Sequence, residues 1–161
     1  RRQRQMCIRD RCQVEHIGSM ELQGVPDDKM YYTLVPVYEK KSRLFTPVDN
    51  HKVVMRPVIS KKEACDLIGH MQEMQVFEIQ NEKNRDTVFK EALKTGDCEE
   101  LVRVIKTIYE KKQERKAQGK KVTAGDERYF KLAEEHLYGE LAIALGIEKD
   151  KVSSYIEKRI A

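Results

Sequence analysis

The feature that most constrains this chain is a change of apolar period near Ser60. Hydrophobic residues alternate in short runs before that point and recur at helical spacing after it. A strand unit and a helix unit bury their apolar faces in different ways. The fold class predicted is therefore α+β, a small antiparallel β module followed by an all-α bundle of about five helices. With 161 residues in all, neither unit can hold more than a modest core. The boundary falls at Arg56-Pro57, since a residue before proline disfavours helix. The domains are read as residues 12–58 and 59–161.

From residue 12 to 55 the runs CQVEHI, SMELQ, MYYTLVPV, SRLFT and KVVM are rich in β-branched and aromatic residues, and GVPDD, YEKK and PVDN separate them. That alternation predicts five strands in a meander or small barrel. Pro36 and Pro47 cannot donate to a ladder, so they belong at an edge, a bulge or a strand end. Downstream, Ser60 and Glu63 form a capping box ahead of Ala64, Leu67, Ile68 and Met71. A second helix over residues 84–94 buries Val88, Phe89, Ala92 and Leu93 and stops at Gly96. Asp97 with Glu100 opens a third, whose apolar stripe (Leu101, Val102, Ile105, Ile108, Tyr109) ends where EKKQERKAQGKK begins. Thr123 caps a fourth, with Tyr129, Phe130, Ala133, Leu137, Leu141 and Leu145 facing inward and Gly146 closing it. The last helix, residues 149–160, offers Val152, Tyr155, Ile156 and Ile160.

Residues 1–11, RRQRQMCIRDR, show no apolar period, cap or signal-peptide core. They resemble a translated sequencing adapter and are read as a non-native segment outside the fold. This matters for charge. The segment holds five of the 31 basic residues and one of the 27 acidic ones, so the remainder is balanced at 26 of each. The formal charge of +4 is thus no argument for nucleic acid, and any such argument rests on local clustering.

One cluster qualifies. Lys111, Lys112, Arg115, Lys116, Lys120 and Lys121 place six cations in eleven residues, leading into the capped start at Thr123. It reads either as a solvated helix end, where cations complement the dipole, or as a phosphate-contacting edge with the backbone amides after Thr123 as an anion site. Catalysis finds no such support. His16, His51, His70 and His136 form no pair at metal-ligand spacing, and no nucleophile elbow, phosphate loop or zinc motif occurs. Cys7, Cys12, Cys65 and Cys98 make no C-x-x-C pair, which favours reduced thiols in a cytoplasmic protein. Tyr31, Tyr32 and Phe45 on predicted strands form either an aromatic cage or the core of the module. No run is long and apolar enough for a membrane. No enzyme, metal, cofactor or small-molecule substrate is expected.

The strand-turn element LFTPVDN, the turn KTGD leading into EELVRVI, and AGDERYFKLAEEHLYGELAIALG occur in the order seen in one family. Over residues 12–160 the chain resembles the CarD/CdnL-like transcription regulators. The resemblance implies a Tudor-like N-terminal module that binds the RNA polymerase β subunit, and a helical domain that contacts double-stranded or forked promoter DNA. On position within the module, Met20, Tyr32, Phe45 and Pro47 are the polymerase-facing candidates. Lys83, Arg85, the six cations, Thr123 and Arg128 are the DNA candidates. Two departures stand out. Residues 1–11 occupy the place of the family's first strand, which predicts a truncated module with an unpaired edge. The tryptophan that some members insert at the DNA fork is also absent, and Glu82 falls at its place. The rivals are a protein-only helical adaptor and an enzyme of unrecognised type.

Overall fold

The alternating runs of the first part build a five-stranded antiparallel sheet in the computed structural model, which describes residues 4–7, 11–20, 24–26, 28–39, 41–52 and 55–161. Its strands are β1 (Arg4–Cys7), β2 (Arg11–Ser19), β3 (Met30–Pro36), β4 (Leu44–Pro47) and β5 (Met55–Pro57), in the spatial order β4-β3-β2-β1-β5. The chain divides into two units, Arg1–Val58 and Ile59–Ala161.

Three expectations for the sheet change. Arg4–Cys7, within the segment placed outside the fold, pairs with β2 on one side and β5 on the other. The edge expected to be open is therefore filled. Ladder hydrogen bonds join backbone to backbone, so a run with no apolar period can still occupy a slot between two strands. Arg11 likewise lies buried at the start of β2, where its carbonyl accepts from the Val37 N–H at 2.7 Å. CQVEHI and the start of SMELQ, expected as two strands, form the single strand β2. The ladder shifts between Val14 and His16, so a bulge absorbs the irregularity that looked like a turn. The rest of SMELQ at residues 21–23, and residues 53 and 54 of KVVM, lie outside the described residues. Pro36 and Pro47 end β3 and β4, as their missing donors require.

The helical unit follows its caps. Ser60 and Glu63 bond reciprocally ahead of α1 (Lys61–His70). A short 3-10 turn (Glu82–Asn84) leads into α2 (Arg85–Thr95), which ends at Gly96 with φ +64°. Asp97 caps α3 (Cys98–Ala117) by accepting from the Glu99 N–H, and Glu100 turns instead to Arg103. Thr123 caps α4 (Ala124–Leu145), which Gly146 closes at φ +68°. A second 3-10 turn (Lys149–Lys151) precedes α5 (Val152–Ile160). The core runs through Ile68, Phe89, Leu101, Val104, Ile108, Leu137, Leu141 and Val152. Phe89 is its aromatic centre, edge-on to Phe77 at 6.5 Å and tilted on Tyr129 at 5.6 Å. No helix is long and apolar enough to cross a membrane.

Candidate nucleic-acid interface

A helix turns about 100° per residue, so cations adjacent in sequence land on different faces. On α3 this separates four of the six, and Lys120 and Lys121 lie in the turn after it. Lys111 shares one face with Thr107, Glu110 and Glu114, which line a cleft of about 190 Å³ with Phe77, Glu82 and Arg85. In it Lys111 Nζ reaches Glu82 at 2.7 Å and Arg85 reaches the same carboxylate at 3.1 Å. The Lys111 hydrogen bond holds the Glu82 carboxyl below the usual carboxylate range, with Arg85 adding to it. On the far face, Ile105, Tyr109, Lys112 and Lys116 recur at helical spacing. There Lys112 Nζ stands 5.9 Å from the Phe130 ring of α4.

Two candidates are occupied by the fold. The Arg85 side chain is only 11% exposed, and its guanidinium is bound to the buried carboxylate of Asp126 as well as to Glu82. It joins the starts of α2 and α4, and a charge so desolvated and paired is not a phosphate contact. Arg115 Nε donates to the Lys121 carbonyl at 2.9 Å, closing the turn after α3. Lys112, Lys116, Lys120 and Lys121 are exposed and carry no ion pair among the described residues. Lys83 is exposed on the 3-10 turn, and Arg128 is exposed on α4, its guanidinium 5.3 Å from the Tyr129 ring.

The capped start of α4 differs from the anion site expected there. Thr123 Oγ1 accepts from the Asp126 N–H at 3.2 Å, and Asp126 and Glu127 bring their own carboxylates into the first turn. Those acids already complement the dipole, so Thr123 serves as a cap. Beside it, Asp86 is held below the ordinary range by hydrogen bonds from Lys90 and Tyr129.

The β candidates divide by register. Thr33 faces Phe45 and Tyr31 faces Pro47 across β3 and β4, whereas Tyr32 faces Thr46. Residues directly opposite share a face and neighbours alternate, so Phe45 and Pro47 lie on one side and Tyr32 on the other. A cage of Tyr31, Tyr32 and Phe45 is thereby excluded. Phe45 is half exposed, Tyr32 and Pro47 are partly buried, and Met20 directly follows β2.

No group of three metal-capable side chains occurs among the described residues. Besides Asp126, sequence reasoning misses one further buried acid. Glu140 of α4 is fully buried, accepting from the Ile59 N–H at 3.2 Å and from Cys98 Sγ at 3.3 Å. Its signal was an acidic residue within the otherwise apolar GELAIAL run. It ties the segment entering α1 to the first turn of α3.

A family model described as CarD, C-terminal domain, matches residues 66–157, more than half of the chain. No curated protein matches.

Proposed function

The chain belongs to the CarD family of transcription regulators, and from that membership we propose that it binds the RNA polymerase β subunit through its β module and double-stranded or forked promoter DNA through its helical unit, without catalysis. One observation carries the DNA half. Residues 59–161 contain 20 basic and 20 acidic residues, yet Lys112, Lys116, Lys120 and Lys121 stand together in solvent at the end of α3 and the turn after it. A local excess of exposed cations on a neutral unit favours a polyanion at that edge. Such contacts hold phosphates and read no bases, so sequence preference is expected to be weak. Lys83 and Arg128, exposed on the 3-10 turn and on α4, are further proposed phosphate contacts. Arg85, Lys111 and Arg115 support the edge through their ion pair and carbonyl contacts, and Thr123 through its cap.

The polymerase half rests on membership and on exposed apolar side chains of the sheet. Phe45 and Pro47 are the proposed contacts on one face, with Met20 beyond the end of β2; Tyr32 belongs to the opposite face. Titrating forked promoter DNA and, separately, immobilised polymerase with the full chain tests both halves. Binding to each is expected, with Phe45→Ala weakening only the polymerase. Capture of polymerase with no DNA binding at moderate salt would favour the protein-only adaptor.

A further inference from the structure

We infer that the α3 face carrying Tyr109, Lys112 and Lys116, with Phe130 of α4 beside it, is a stacking platform for unpaired bases of single-stranded DNA. The inference rests on the DNA reading above and names the form of DNA this edge prefers. Tyr109 and Leu132 are the only large apolar side chains of the helical unit exposed to solvent, and Tyr109 is 54% exposed. An exposed tyrosine at the end of an apolar stripe is available to a partner with an apolar face. The chemistry around it selects that partner. Lys112 and Lys116 follow Tyr109 by one and two helical turns on the same side, and Lys112 lies near the Phe130 ring. Aromatic rings interleaved with cations match alternating bases and phosphates: each base offers a π-face and each phosphate a charge. A duplex hides its base faces and presents phosphates alone, so it would use the lysines and leave Tyr109 idle. Glu134 of α4, which accepts from the Tyr138 hydroxyl at 3.4 Å, is the acid whose charge Lys112 feels. Burial pushes its carboxyl up, and the Tyr138 hydroxyl and Lys112 pull it down.

The test uses the full chain with three probes: a mixed-sequence single-stranded DNA, the duplex of the same sequence, and polyglutamate. Stacking on one aromatic ring is worth roughly 5- to 150-fold in affinity. Tyr109→Ala is expected to weaken single-strand binding by about tenfold and duplex binding by less than about twofold. Tyr109→Phe should restore the single-strand affinity, and circular dichroism should show both variants folded. Equal losses on single strand and duplex, or no loss on either, would overturn the platform and leave the DNA reading in place. A Tyr109-dependent affinity for polyglutamate would also overturn it, in favour of an acidic peptide. If the parent binds neither DNA, both readings fall.

Discussion

The two units bury their apolar residues very differently. Among the described residues of the β unit, Cys12 and Leu34 are the buried hydrophobic side chains, while Ile17, Met30, Tyr38, Leu44, Phe45 and Val48 stand exposed. In the helical unit a continuous core runs from Ala64 to Val152, and only Tyr109 and Leu132 are exposed. Apolar area removed from water is the main stabilising term, so among the described residues that term is concentrated in the helical unit. Exposed apolar surface on the sheet is where the proposed polymerase contacts lie, and on the helical unit such surface is confined to Tyr109 and Leu132.

The largest effect that would break the comparison concerns β1. Deleting residues 1–10 removes the strand between β2 and β5, so the β unit should lose its strand signal in circular dichroism while the helical signal persists. An unchanged melting profile of the sheet would mean that β1 contributes nothing to it. Next comes the core. Phe89→Ala should cost about 3–5 kcal/mol in urea denaturation, because the ring is fully buried between Phe77 and Tyr129. Phe45→Ala, half exposed on the sheet, should cost less than about 1 kcal/mol. Similar losses for the two would contradict the contrast in core.

Charge effects are smaller and sharpen the functional side. Changing Lys116, Lys120 and Lys121 together to Ala should lower the slope of log affinity against log salt by about two to three units on forked DNA, with polymerase binding unchanged. Parallel salt lines of equal affinity would show that these lysines only face solvent.

The smallest effect is on pH dependence. Glu82, through its Lys111 hydrogen bond, and Asp86, through Lys90, have depressed carboxyl values. A group depressed in the folded state adds stability above its unfolded value and loses it as pH falls through its folded value. Glu134, raised by burial, acts in the opposite sense, favouring the folded state as pH falls through its raised value. The urea midpoint of the helical unit should therefore drop between about pH 5 and about pH 3, slightly less in Glu82→Gln. An identical profile in that variant would remove Glu82 from the account.

Local signals carried most of the helical unit. The change of period at Ser60, the Ser60–Glu63 box, the Thr123 cap and the stops at Gly96 and Gly146 all depend on residues within a turn or two of one another. Such pairs meet whatever the rest of the chain does, so the elements and their apolar faces are legible from sequence. What only the tertiary structure decided is which of the clustered cations remain available. Arg85 meets Asp126 across 41 residues and Lys111 meets Glu82 across 29, pairings that no spacing announces. The register of the sheet is equally non-local. The bulge between Val14 and His16 and the partners of β3 set Tyr32 apart from Phe45, and backbone pairing places β1 between β2 and β5 without any side-chain pattern to mark it. Periodicity is a property of one element. Ion pairing and strand order are properties of elements brought together, and they become visible only when the chain has folded.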